Sequence, residues 1–138
     1  MMVMLDNNVL IDALASRKPF DADARSVLRA SALGKCSCCF TANSATDIYY
    51  VLQKIKGKET AKGTIAQLLR LLPAVSVSGT DCIKALELPI DDFEDSLLAV
   101  CAVKIDAECI VSRDKEFLKT NSPVRVISPS ELLTELDN

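Results

Sequence analysis

The chain has 138 residues, of which 49% are hydrophobic and 25% are charged, with only 4 Gly and 5 Pro. This length and composition predict one globular domain over residues 1–138 and exclude a disordered chain. No apolar run approaches the roughly 18 residues of a membrane span, and the net charge of −3 disfavours a simple electrostatic nucleic-acid binder.

Strand and helix patterns alternate along the chain. In chain order they predict a strand at 2–6, a helix at 21–33, a strand at 38–41, helices at 44–56 and 59–72, a strand at 74–77, helices at 80–88 and 92–105, strands at 108–112 and 124–127, and a helix at 128–136. Strands separated by helices are typical of a mostly parallel sheet with helices on both faces. The predicted fold is an α/β three-layer sandwich.

The cysteines are predicted to be core residues with reduced thiols. Cys36 and Cys39 form a C-x-x-C, but the chain has no histidine and no second such pair to complete a zinc site. The motif also runs into a predicted strand rather than opening a helix, which disfavours a redox role. The apolar start lacks the basic region of a signal peptide, so we expect a cytoplasmic protein without membrane attachment.

Charge is distributed unevenly between the two halves of the chain. Residues 1–70 carry 10 Lys+Arg against 6 Asp+Glu, a net +4, whereas residues 71–138 carry 6 against 13, a net −7. The basic half includes the run "QKIKGKETAKG", which usually indicates a solvated helix face or turn. Beside an acidic site, the same run would form one wall of a phosphate-binding groove.

Four aspartates are the candidate functional residues. Asp6 follows the first strand and Asp114 closely follows a later one, and ligand sites of parallel α/β sheets lie outside the carboxyl ends of the strands. Asp95 stands at the start of a strongly apolar helix, and Asp47 lies in the first turns of another. We therefore expect these four carboxylates to gather at one edge of the sheet.

Helix capping is the alternative explanation for each of these acids. Ser44 with Asp47, and Asp92 with Asp95, have the spacing of capping boxes, which need no chemistry. Taken together, however, carboxylates crowded at one edge would repel one another unless a cation neutralised them. Oxygen ligands without histidine or thiolate favour Mg²⁺ or Mn²⁺ over zinc.

The chain resembles the PIN-domain family of small metal-dependent ribonucleases, which includes VapC-type toxins. The segments that carry the resemblance are "MLDNNVLIDAL", "TANSATDIYYVL", "DFEDSLLAVCAV" and "CIVSRDKEF", in the family's order and spacing. They cover nearly the whole chain.

The resemblance implies an Mg²⁺- or Mn²⁺-dependent endoribonuclease that hydrolyses RNA phosphodiester bonds. It places the family's metal-binding and catalytic acids on Asp6, Asp47, Asp95 and Asp114, with Asn8 and Ser112 in support. It further implies an RNA substrate, an antitoxin protein partner and a homodimer. The chain departs from the family pattern at Asn7, where Thr or Ser is usual, at Asp47, where Glu is commonest, and at Ser112, where Thr is commonest.

Other protein classes fit these motifs less well. A haloacid-dehalogenase-like phosphatase would place a second Asp two residues after the first, where this chain has Asn8. A receiver-like domain would need an acidic pair at the end of the first strand. A PIN-like module without catalysis, which acts only by binding, stays open because of the shorter acid at Asp47.

Overall fold

The computed structural model describes residues 1–137, which form five strands and eight helices. The strands are β1 (Met2–Leu5), β2 (Ser37–Thr41), β3 (Ala74–Val75), β4 (Cys109–Val111) and β5 (Val126–Ile127). The helices are α1 (Asn7–Leu14), α2 (Asp21–Ala32), α3 (Ser44–Lys56), α4 (Lys58–Leu71), α5 (Gly79–Ala85), α6 (Phe93–Lys104), α7 (Lys115–Leu118) and α8 (Pro129–Asp137). Within the described chain, none of these helices has the length and apolar character needed to cross a membrane.

All strands pair in parallel, in the order β3-β2-β1-β4-β5. The first strand of the chain is therefore the central one, flanked by β2 and by β4. In its register with β4, Leu5 lies opposite Val111. This arrangement confirms the predicted parallel sheet, and it brings the carboxyl ends of β1 and β4 side by side.

Two apolar cores cover the two faces of the sheet, because successive strand residues point to opposite sides. Val3 and Leu5 pack into one core together with residues of α1, α2, α3, α4 and α8. Met4 points to the other core, which is filled by the apolar face of α6 and by Phe117 of α7. The predicted three-layer sandwich is confirmed.

The sequence patterns did not predict two of the helices. Helix α1 follows β1 with only Asp6 between them, and two asparagines, which are weak helix formers, open it. Helix α7 has four residues, too few to show a helical period. Both helices matter for the site, because they begin directly after the two acids that follow β1 and β4.

The cysteine prediction agrees with the structure. All six cysteines are free thiols, and only Cys82 is not fully buried. Cys36 and Cys38 belong to one core and Cys39 to the other, so the two ends of the C-x-x-C point to opposite faces of the sheet. Burial raises the pKa of the Cys39 thiol to about 12, which suits a core residue rather than a reactive one.

The lysine run spans the junction of α3 and α4 at Gly57. This glycine has φ of 85°, a left-handed conformation that favours glycine, and it ends α3 where α4 begins. The lysines around it are exposed, and Lys56 donates to the backbone oxygen of Leu14 at 3.1 Å. The run is a solvated helix junction, as its composition indicates.

Candidate active site

The candidate site lies where β1 and β4 end. The Asp6 backbone N–H donates to the Val111 oxygen at 2.9 Å, which fixes the two strand ends together. Asp6 follows β1, while Ser112, Arg113 and Asp114 follow β4 and lead into α7. Only 7% of Asp6 is exposed, although it is a carboxylate at a strand end.

Side chains from both strand ends hold the Asp6 carboxylate. Ser112 Oγ donates to Asp6 Oδ2 at 2.8 Å, and Asn8 Nδ2 donates to the same oxygen at 3.2 Å. Asn8 also donates to Ser112 Oγ at 3.3 Å, which closes a triangle of hydrogen bonds. The Asp6 carboxylate makes no capping bond to α1 although Asp6 occupies the N-cap position, so helix capping does not explain this acid.

The surroundings of Asp6 disfavour its charge. Burial, with smaller contributions from the charges of Glu94 and Asp114, raises the pKa of Asp6 from 3.8 to about 6. The hydrogen bond from Ser112 opposes this change without cancelling it. A nearby positive charge would therefore stabilise the charged form of Asp6.

Asp95 is the second strongly perturbed acid. It lies half-buried in the first turn of α6, and burial raises its pKa to about 7, with further contributions from the charges of Asp92, Asp6 and Asp114. Its own backbone N–H is capped by Asp92 Oδ1 at 2.9 Å. Asp92 is therefore the N-cap of α6, and the Asp95 carboxylate does not serve as the cap.

Asp114 has two roles at once. Its Oδ1 accepts from the Glu116 backbone N–H at 3.0 Å and so caps α7. Its charge also raises the pKa of both Asp6 and Asp95, so it lies within electrostatic reach of both. Together with Asp95, it lines an open depression of 350 Å³.

Asp47 reaches the site through Asn7. The Asn7 side-chain nitrogen donates to Asp47 Oδ2 at 3.2 Å and to Glu94 Oε1 at 3.0 Å. Asp47 itself is exposed, and the alternative explanation for it, a capping box with Ser44, is not formed. The Ser44 hydroxyl instead pairs with Thr41 Oγ1 at 2.9 Å, because α3 begins at Ser44 itself.

Glu94 is a site residue that the sequence motifs did not single out. Its carboxylate accepts from the Asn7 side chain, which also donates to Asp47 of α3. Glu94 also lines a small cleft with Asp6 and Thr41. Burial raises the pKa of Glu94, and the charges of Asp47 and Asp92 raise it further. The only sequence signal was its place directly before Asp95, in a turn where neighbouring residues point to different sides of the helix.

The structure therefore brings Asp6, Asn8, Ser112, Asp95 and Asp114 to one edge of the sheet and adds Asp47 at its rim. Within residues 1–137, no three Cys, Asp or Glu side chains stand so that they could hold a metal ion without moving. The donor set nevertheless suits a hard cation, since it consists of carboxylate and amide oxygens and includes two acids with raised pKa.

Comparison with known proteins gives consistent matches. A family model described as PIN domain matches residues 2–116. The relative Ribonuclease VapC1 of Aquifex aeolicus (strain VF5) is 29% identical over 120 residues, which is 83% of each chain.

Two solved structures share the fold of this chain. DNA-bound VapBC from Salmonella typhimurium aligns with a TM-score of 0.70 and 16% identity, covering 94% of this chain and 98% of that one. VapBC2 from Rickettsia felis, bound to a DNA fragment from its promoter, aligns with a TM-score of 0.66 and 19% identity, covering 93% and 98%.

Proposed function

The chain belongs to the PIN domain family, and on this premise we propose that it is a metal-dependent endoribonuclease and the toxin of a toxin–antitoxin pair. One observation carries the proposal. Asp6, Asp95 and Asp114 converge at the joined ends of β1 and β4, where burial and mutual repulsion disfavour two of the three charges. A protein keeps such an arrangement when a cation relieves it.

The ion would be held by Asp6, Asp95 and Asp114, with Asp47 completing the set from the rim. When bound, a divalent cation offsets the charge of an RNA phosphate and lowers the pKa of a coordinated water. We propose Mg²⁺ or Mn²⁺, because the donors are all oxygens.

Asn8 and Ser112 orient the Asp6 carboxylate. Both donate to Oδ2, and neither donates to the other carboxylate oxygen. The triangle of hydrogen bonds limits rotation of the Asp6 side chain, so one acceptor keeps a fixed direction. Partners of this kind around a metal ligand typically contribute about 10–100-fold to metal affinity or activity.

Charge complementarity supports RNA as the substrate. Although the chain is acidic, the exposed lysines Lys54 and Lys56 lie in the last turn of α3, the helix that carries Asp47 in its first turn. A phosphate backbone that ran from the site along α3 would meet these cations. At the site itself, the bound metal ion would offset the repulsion between the acidic residues and the RNA phosphates.

An apolar groove between α2 and α4 supports a protein partner, which we propose is the antitoxin. The groove has a volume of 230 Å³ and is lined by Leu14, Leu28, Leu68, Leu71 and Leu72, among others. Leu71 is 68% exposed, so the described residues leave most of this leucine in contact with solvent. The VapBC structures that share this fold are named as complexes, and VapBC2 of Rickettsia felis is described on its promoter DNA. We also propose that the protein is cytoplasmic, which its free thiols support. The family is the support for the further proposal that it is a homodimer.

The test is cleavage of a long single-stranded RNA by purified protein in EDTA, in Mg²⁺ and in Mn²⁺. We expect cleavage only with a divalent ion, and none by Asp95→Asn, a control that also exposes contaminating ribonuclease. Cleavage that persists in EDTA would contradict metal dependence. Absence of cleavage with either ion, by a folded wild-type protein free of its partner, would favour the binding module without catalysis.

A further inference from the structure

The three residues after β4 are held from two sides. Ser112 faces the acidic site, where its Oγ donates to Asp6 and accepts from the Asp114 backbone N–H at 3.1 Å. Arg113 points the opposite way, towards α1. There its Nε and Nη2 donate to the two carboxylate oxygens of Asp12, the latter at 3.1 Å.

Helix α1 contacts this segment on two successive turns. Asn8 and Asp12 are four residues apart and so lie on one face of the helix. Asn8 Oδ1 accepts a long 3.5 Å contact from the Arg113 backbone N–H, while Asp12 takes the guanidinium of the same residue. Both the main chain and the side chain of Arg113 are thus attached to α1.

The carboxylate of the Asp12–Arg113 pair is shielded from water, while the guanidinium is partly exposed. Only 1% of Asp12 is exposed, and the Phe20 ring covers the guanidinium with its centroid 4.0 Å from Cζ. A bidentate arginine–carboxylate pair fixes both distance and orientation, and burial protects it from screening by salt. This pair is therefore far more rigid than an ordinary surface ion pair.

Asp114 depends on the backbone for its position. Apart from accepting from Glu116 in its own helix, the Asp114 carboxylate forms no hydrogen bond with another side chain of residues 1–137. Its position relative to Asp6 therefore depends on the backbone of the turn between β4 and α7, to which Arg113 belongs.

From these contacts we infer that Asp12 and Arg113 are positioning residues for Asp114 at the active site. The inference rests on the proposed function, since it assigns the pair to the metal-binding edge described above. The pair acts by fixing the turn between β4 and α7, and with it the backbone from which the Asp114 side chain extends towards Asp6 and Asp95. Neither Asp12 nor Arg113 touches the ion or the RNA in this role.

The test compares Asp12→Asn with the matched control Asp81→Asn. Asp81 is likewise buried and paired with a partly exposed cation, Lys104, but it lies at α5, away from the site. For each protein we would measure Mn²⁺ affinity by electron paramagnetic resonance, single-turnover RNA cleavage, and melting temperature in EDTA. We expect Asp12→Asn to weaken Mn²⁺ binding or cleavage by about 10–100-fold, the size typical of residues that orient metal ligands, while Asp81→Asn leaves both within about twofold.

Stability must be separated from positioning. Replacing Asp12 disturbs the fold less than removing the Arg113 side chain would. The partly exposed Arg113 can turn to water when its partner is lost, whereas the buried Asp12 carboxylate could not. Should this variant fail to fold, Arg113→Lys keeps the charge opposite Asp12 but loses the two-point contact and the stacking on Phe20. We expect it to show the same loss of Mn²⁺ affinity or cleavage.

Two results would overturn the inference and can be told apart. If wild type binds Mn²⁺ and cuts RNA while the folded variants match Asp81→Asn in both, the pair is a structural fastener and only this inference fails. If wild type itself neither binds Mn²⁺ nor cuts RNA, the proposed function fails and the inference fails with it.

Discussion

Replacing Asp6 with Asn should stabilise the protein when no divalent metal is present. The folded state raises the pKa of Asp6 from 3.8 to about 6. A change of roughly 2 units at about 1.4 kcal/mol each gives an upper bound near 3 kcal/mol for the cost of the charged form. With only 7% of the residue exposed, solvent screening reduces this value little.

Asparagine removes this charge while keeping the shape of the side chain. Its Oδ1 can accept the same hydrogen bonds from Ser112 and Asn8, and Asn suits an N-cap position as well as Asp does. We therefore expect Asp6→Asn to raise the free energy of unfolding by about 1–3 kcal/mol at pH 8 in EDTA.

The pH dependence has a definite sign. Between pH 3.8 and about 6 the folded state binds more protons than the unfolded state, so the stability of wild type falls as pH rises through this window. The advantage of Asp6→Asn should be complete above about pH 6 and should vanish near pH 4. Urea unfolding in EDTA at pH 4.5 and pH 8, followed by circular dichroism, measures both ends.

Asp81→Asn provides a control of opposite sign. Lys104 and the Ser78 backbone N–H lower the pKa of Asp81 to about 2, so its charge stabilises the fold. This variant should be destabilised at pH 8, and less so as pH falls below about 4. If Asp6→Asn is instead destabilised at pH 8 by the same amount as at pH 4.5, the Asp6 carboxylate is a structural acceptor and the reasoning from repulsion is wrong.

Three further outcomes are expected. Mn²⁺ at about 100 times its dissociation constant should stabilise wild type by about 2.7 kcal/mol, and calorimetry should detect no such effect in Asp95→Asn. RNA cleavage should fall by orders of magnitude in Asp95→Asn and Asp114→Asn, and by less in Asp47→Asn. It should hardly change in Asp92→Asn, because Asn caps a helix about as well as Asp does. Equal cleavage rates for Asp95→Asn and wild type would refute the mechanism. Leu71→Glu should prevent co-purification with the product of the adjacent upstream reading frame while leaving RNA cleavage unchanged, whereas retained co-purification would place the partner elsewhere.

The parts of the fold that were predictable are those in which local pattern and tertiary burial agree. The parallel sheet follows from short apolar runs separated by helical periods, and Asp6 and Asp114 were placed correctly from their positions after two such runs. Helix α1 was missed because it begins one residue after β1 and is held by packing rather than by propensity.

The contacts that complete the site were not predictable from spacing along the chain. Asp12 and Arg113 are 101 residues apart, and neither belongs to a motif that suggests pairing. The bridge from Asn7 to Glu94 depends on how α3 and α6 are set against α1, which only the assembled sheet determines. The capping box of Ser44 and Asp47, the alternative explanation for Asp47, is not formed, because a favourable spacing does not determine where the helix starts.

The central position of β1 has a consequence for how the protein is made. Strand β1 needs as a neighbour β4, which is synthesised much later, and Asp6 and Ser112 are 106 residues apart. At about 5–20 residues per second, translation separates the two by roughly 5–20 s. During that interval the nascent chain lacks Asp114 and has no partner for one edge of β1, so the acidic site cannot assemble until β4 and the turn after it have been synthesised.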